Sequence, residues 1–485
     1  MNKTETIRNF IWSAIVLLFS SCSFEPSYDP PDMAVSEQWK NTPKNTDLFA
    51  EVGGWWEIFQ DPKLNSLIQQ AVANNPSLMA AGERVEQARD IAKIVKSRLF
   101  PQINFTPGYR NTEFLNKYPF GPNSNKPFTT KSRVWEYEYS LPLSLSFEVD
   151  LWGKIRSEYK SAKLSMEAQK EAFQAVLLVL TAEVAGAYFQ LRVQDAQIEL
   201  LRAIIDTRKN AREIHQARYE GEVVDYTPVT LIEQDLDNVE SQYFSALEIR
   251  ALFENQIAVL LGVTPSEFTI ESIPLLLTNL PPVVPSGIPS EMLLRRPDLI
   301  EQERLMASYH AQIGVAYASY FPSLILTGGL GFRSPDWSNF LKDKSKYWLA
   351  AADVSQFIFD AGRRSYNVQL SWSQFRESAD LYKQKVLIAF QEVEDALSNL
   401  EWIGKGMDSL ADSVEAAKTN FVIASDRYKL GVINYLDVTN NRRQVLDNQR
   451  AYLMLLGQAY GNTIQLIKAL GGGWDETGRK LEVSH

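Results

Sequence analysis

Cys22 is the only cysteine of the 485-residue chain, so its chemistry is not an internal disulfide. It follows a short apolar run, Phe10 to Phe19, and the small residues Ser20 and Ser21, with Lys3 and Arg8 upstream. That order reads as a secretory signal over 1–21 that ends in a bacterial lipobox, where the thiol is acylated and Cys22 becomes the first mature residue. Phe19, preceded by Leu18, stands where the lipobox usually has leucine. An acyl anchor tethers a protein without spanning anything, and the apolar run itself is too short to span. His215, His310 and His485 lie too far apart in sequence to suggest a zinc site. Gly328-Gly329-Leu330-Gly331 is glycine-rich, but it falls on a predicted strand, where glycine reads as packing or curvature rather than phosphate binding. With no P-loop, dinucleotide fingerprint or nucleophile elbow in context, the reading is no enzyme, no cofactor and no metal.

The composition excludes several classes. Hydrophobic residues make up 45% of the chain, enough for a sizeable core and too many for full-length disorder. A formal net charge of -10 argues against nucleic acid as a partner. There are no repeated runs of about 20 apolar residues, as a polytopic helical membrane protein needs. Pro26, Pro30 and Pro31 read as an extended leash behind the anchor.

An internal duplication organises the rest. Asn75-Pro76 opens a helical stretch that closes at Phe100-Pro101, and Arg296-Pro297 opens one that closes at Phe321-Pro322. Asp150-Leu-Trp-Gly153 corresponds to Asp360-Ala-Gly362. At an offset of 209, Arg218-Tyr219 matches Arg427-Tyr428, Tyr226 matches Tyr435, and Leu261-Gly262 matches Leu470-Gly471. The boundaries drawn from this are a lipidated N-terminal and belt segment at 22–75, a first repeat at 76–263, a linker at 264–296, a second repeat at 297–471 and a tail at 472–485. Strands are expected at about 102–150 and 323–359, and long helices at about 154–218 and 363–430.

Between Trp135 and Val149 every second residue is apolar, from Tyr137 and Tyr139 through Leu141, Leu143 and Leu145 to Phe147, with Glu136, Glu138, Ser140, Ser144, Ser146 and Glu148 among the residues between them. One reading of such a long alternation is the edge of a soluble sandwich. The other is a membrane barrel strand, with its apolar face in lipid and its polar face toward a wet lumen. Four strands cannot close around a lumen or stand in lipid with open edges, so spanning would require several chains to share one barrel. The long helices carry heptad seams: Leu177, Val184, Leu191, Ile198 and Ile205 in the first, and Val386, Val393, Leu400, Met407 and Val414 in the second. The second seam runs through Gly404 and Gly406, which predicts one continuous helix there.

These landmarks, with Trp56-Glu-Ile-Phe59-Gln-Asp61-Pro62 and Ala469-Leu470-Gly471-Gly472-Gly473-Trp474, resemble the outer membrane efflux protein family, the TolC-like channels, and within it the lipidated OprM-like branch. The resemblance implies a mainly α fold with β. Each protomer has a duplicated long-helix coiled coil and four transmembrane strands. A homotrimer shares a twelve-stranded barrel and an α-helical tunnel. It further implies a passive exit duct for small molecules (drugs, toxic compounds or metal ions) in the outer membrane, recruited by a periplasmic adaptor and an inner-membrane pump of RND type. The family gates its duct at the periplasmic helix turns. Carried over, Asp437 is the aperture carboxylate, Asn440 occupies the second acidic position, Leu436 and Arg443 constrict or brace the opening, and Tyr428 matches a closed-state latch. The latch arginine position is Ile433, and Tyr226 is followed by Thr227 rather than an acid, so both sides of the gate depart from the family pattern. The competing reading is a lipid-tethered periplasmic coiled-coil scaffold without channel activity.

Overall fold

The computed structural model describes residues 25–29, 31, 38–40, 54–116, 132–284 and 295–472. Cys22 and the C-terminal Gly473-Trp474 lie outside the described residues. In chain order the elements are α1 (Pro62–Asn74), α2 (Pro76–Ser97), β1 (Gln102–Phe105), β2 (Gly108–Asn116), β3 (Ser132–Val149), α3 (Lys154–Glu220), α4 (Thr227–Leu260), α5 (Pro297–Ala318), β4 (Ser323–Ser334), β5 (Lys346–Ser355), α6 (Arg363–Lys429) and α7 (Tyr435–Ala469). The residues fall into two compact units. One holds the strands, within Glu86–Glu167 and Glu303–Asp380; the other holds Ala168–Gln302 and the chain from Leu381 on.

The strands form one antiparallel sheet in the order β1–β3–β4–β5, with β2 also pairing with β3. β1 and β2 occupy a single lane, because Phe105 opposite Leu143 and Gly108 opposite Ser140 keep one register. The break falls at Thr106-Pro107, where proline has no N–H to give the ladder. The expected four strands are therefore four lanes, one of them interrupted. The last lane ends short of the expected boundary at 359. β5 stops at Ser355, and Asp360 is already turned to cap the next helix.

Residues directly opposed across lanes share a face. Leu143 faces Leu330, Leu330 faces Trp348, and Phe147 faces Leu326, so the apolar residues of the hairpins merge into one surface. That surface is open: Leu330 is 59% and Trp348 80% exposed. Within the glycine run, Gly331 is the one required by space. A Cβ there would sit 2.2 Å from the Leu141 carbonyl oxygen, so only glycine lets β4 lie this close to β3.

Each long helix begins in the same way. Asp150 accepts from the backbone N–H groups of Ile155 and Arg156 and from Arg156 Nε, all at 3.0 Å. Asp360 accepts from the N–H of Arg364 at 3.3 Å and from Arg364 Nε at 2.6 Å. The carboxylate caps orphan donors and pairs with a cation one turn on. Both long helices then run for 67 residues, about 100 Å at 1.5 Å per residue, and α6 passes unbroken through Gly404 and Gly406. The seam residues Leu177, Val184, Leu191, Ile198 and Ile205 are all buried, as are Val386, Val393, Met407 and Val414.

The duplicated Asn75-Pro76 and Arg296-Pro297 mark splices between helix ends. Asn75 Oδ1 accepts from Leu78 N–H at 3.0 Å, which caps α2, while its Nδ2 donates to the Leu260 carbonyl at 2.9 Å, which closes α4. One buried amide thus satisfies both ends. Gly262, at φ 70, has no room for a side chain, since its Cβ would lie 2.4 Å from the Asn74 carbonyl oxygen. In the second repeat Arg296 Nη1 donates to the Ala469 carbonyl at 3.0 Å and to Glu392 at 2.6 Å, and the same guanidinium grips Asp298. Burial works against the Asp298 charge, but the Arg296 hydrogen bond and charge outweigh it and hold this carboxyl below the usual range. The linker is fastened too: Asp195 accepts from Ile273 N–H at 2.9 Å and from Arg250 Nε at 2.7 Å. Phe59 stacks toward Phe189, and Phe189 on Tyr460, with ring centroids 4.9 and 4.3 Å apart.

Two outcomes are expected from these joints. Asn75→Ala leaves two helix ends unsatisfied and lowers stability by about 1–3 kcal/mol. Glu222 is a non-glycine residue at φ 57 where the second repeat has Gly431 at φ 73, so Glu222→Gly raises stability by about 0.5–1 kcal/mol and Gly431→Glu lowers it. Denaturant titration followed by far-ultraviolet circular dichroism measures all three.

Candidate gate at the helix turns

The two helix turns are built alike. At the end of α3, Glu222 N–H donates to the Tyr219 carbonyl and Val223 N–H to the Arg218 carbonyl, both at 2.9 Å. At the end of α6, Gly431 and Val432 make the same pair of bonds to Tyr428 and Arg427, again at 2.9 Å. Both are Schellman closures, which need a left-handed residue at the first position past the helix. Tyrosines bracket each turn: Tyr219 against Tyr226 at 4.9 Å, and Tyr428 against Tyr435 at 5.3 Å. α7 starts from a side-chain cap, Asn434 accepting from Asp437 N–H at 3.1 Å, whereas at α4 the N-cap Tyr226 gives none and the preceding Asp225 accepts from Thr227 N–H at 3.2 Å.

Four of the sequence candidates lie on the first turns of α7, and Tyr428 lies at the end of α6. Val438 and Thr439 are buried against the chain's own helices. Leu436 and Asp437 are half-buried, and Asn440 and Arg443, at successive spacings of three from Asp437, are exposed. Asn440 is exposed, and the Asp437 carboxylate makes no ion pair among the described residues. Tyr428 is exposed and packs edge-on against Tyr435, so here it braces the turn through ring contact.

Arg443 faces a partner that the motif comparison did not reveal. Its Nη1 lies 3.8 Å from Asp235 on α4, and its Nε 3.7 Å from Asp447. Asp235 also lies 2.7 Å from Nε of Arg208, a residue of α3 whose side chain is only 3% exposed. One carboxylate thus stands between a buried and a surface guanidinium on different helices. Burial draws the Arg208 pKa below its ordinary value, Asp235 opposes this, and nearby Arg443 adds to it. Arg208 had a sequence signal: Leu180, Ala187 and Leu201 belong to a seam of seven whose next members are Arg208 and His215. His215 is buried with neither ring nitrogen hydrogen-bonded, and burial, then Arg218, holds its pKa below the ordinary imidazole value. The seam turns polar as it nears the turn.

The outer membrane efflux protein family model matches residues 67–263 and 288–472, most of the chain. The probable efflux pump outer membrane protein TtgC of Pseudomonas putida is 28% identical, over 98% of this chain and 97% of its own. The probable outer membrane lipoprotein SilC of Salmonella typhimurium is 29% identical, over 96% and 98%. The open-state structure of the Neisseria gonorrhoeae MtrE outer membrane channel superposes with a TM-score of 0.81 at 27% identity, covering 93% of this chain and 98% of that one. Two matched segments and end-to-end coverage leave one conclusion: the chain belongs to the outer membrane efflux protein family.

Proposed function

We propose that the chain is the passive outer-membrane exit duct of a tripartite efflux system, working as a homotrimer and gated at the helix turns. The observation that carries this reading is the sheet. It has an open apolar face and two unpaired edges, the β1/β2 lane and β5, among the described residues. In lipid such edges are untenable, and three copies of four lanes close them into twelve strands. A water-soluble scaffold would have to bury this face instead. A periplasmic adaptor and an inner-membrane pump of RND type are the partners this reading implies. The cargo is small molecules, whether drugs, toxic compounds or metal ions.

Lipidation of Cys22 is part of the same reading, and the leash supports it. Lys160 Nζ donates to Glu25 at 2.8 Å, and Tyr28 Oη to Glu303 at 2.8 Å. Glu25 and Tyr28, just past Cys22 in sequence, are thus fastened to α3 and α5. The relative SilC is itself named a lipoprotein.

At the gate, three copies of Asp437 would gather negative charge in a narrow opening and favour cations there. Asp437→Ala is expected to raise single-channel conductance and weaken block by divalent cations, whereas Asn440→Asp strengthens that block. An unchanged conductance and block in Asp437→Ala would sink the gate assignment. His215 adds a pH dependence. Its neutral form is favoured in the packed turn, so the turn is fully stabilised above the ordinary imidazole value of about 6.5 and loses stability as pH falls below it. Conductance is expected to rise on acidification to about pH 5.5, with the rise lost in His215→Phe.

A further inference from the structure

The β4–β5 turn and the first residue of β5 carry side chains that the gate does not use. Within the strand-bearing unit, Val149 leads into α3, Ala318 into β4 and Ser355 into α6, so the helices all join the sheet at one end and the β4–β5 turn lies at the other. β4 has 12 residues. At about 3.3 Å each and a tilt of about 40° it spans about 30 Å, the thickness of a bilayer's hydrocarbon core. If the sheet spans the membrane as proposed above, this turn lies at the outward boundary.

That rim is aromatic and cationic together. Tyr139, on the apolar face, has Trp337 at 5.3 Å and Phe340 at 5.9 Å, and Trp337 stacks on Phe340 at 5.8 Å. Trp337 is 70% and Leu341 64% exposed. Lys342, Lys344 and Lys346 follow, all exposed. Lys346 is opposite Phe332, so its side chain leaves the sheet on the apolar face, where a cation must reach outward to the headgroup layer. Its Nζ is 2.5 Å from Asp343, and Lys342 Nζ donates to Asn339 at 3.3 Å. Lys344 makes no ion pair among the described residues. Asp336 is taken up in the turn, accepting from Asn339 at 3.4 Å. Exposed indole and leucine beside three ammonium groups match an amphiphile with acyl chains under a multiply anionic head. Asp343, paired with Lys346, and Asp336 offset two of these charges, so a phosphate that engages Lys346 must displace Asp343.

We propose that this rim binds the bisphosphorylated sugar headgroup of the outer-leaflet glycolipid, with Lys342, Lys344 and Lys346 on its phosphates and Trp337 and Leu341 against its first acyl carbons. The inference rests on the outward placement of the turn. The test is titration of the purified full-length channel in detergent with diphosphoryl lipid A, monophosphoryl lipid A and phosphatidylglycerol, with bound lipid counted by native mass spectrometry. The wild-type channel is expected to hold diphosphoryl lipid A most tightly. Lys342→Gln/Lys344→Gln/Lys346→Gln should weaken it by about ten- to a hundredfold, and the corresponding triple arginine variant should retain it. Equal binding by wild type and the glutamine variant overturns the proposal, and so does phosphatidylglycerol binding as tightly as diphosphoryl lipid A. Single-channel conductance of the glutamine variant is recorded in parallel. It reports on the duct itself, so loss of the lipid site and failure of the channel reading are told apart.

Discussion

Backbone hydrogen bonding at the sheet edges is the constraint on which the rest depends. A lane of unpaired N–H and C=O groups can stand in water but not in lipid, where each unmet group costs several kcal/mol. Among the described residues the sheet exposes an apolar face, which asks for lipid, and its outer lanes are open, which lipid forbids. Only further copies resolve the conflict. The open face and the open edges are therefore one requirement, and the oligomer follows from it.

The helices face a different problem, which is how to make rows of about 100 Å from a chain that must also leave the bundle to build strands. The first half uses one unbroken helix and a second row assembled from α2 and α4. Asn75 holds that row together, with its oxygen on one helix and its nitrogen on the other. Arg296 does the same in the second repeat, with a larger side chain that also draws in Asp298 and Glu392. At the turns the repeats diverge. The same Schellman closure is made with Gly431 in one and with Glu222 in the other, under more backbone strain.

Much of this was legible in the residues and some was not. The heptad seams, the alternating strand and the order of landmarks follow from periodicity, which local burial imposes directly. The duplicated Asn75 and Arg296 were visible as repeat markers, but their task was not, because Leu260 and Ala469 lie far along the chain. Arg208 and His215 occupy seam positions that a heptad count reaches. What no count supplies is that Arg208 meets Asp235 on another helix, or that Asp235 also faces Arg443. The break at Pro107 was written in the residue itself; the early end of β5 was not, since its alternation is weak and the cap made by Asp360 decides it.

The splices also have a bearing on how the chain acquires its fold. The bond from Asn75 to Leu260 spans 185 residues and that from Arg296 to Ala469 spans 173. Neither can form until a whole repeat, hairpin included, has been synthesised and brought back on itself. Contacts of such separation are slow to find, because the intervening loop must be closed first. The long helices can form as they emerge, whereas the composite rows wait. The late event in the biogenesis of each protomer is thus the joining of two helix ends by a single side chain.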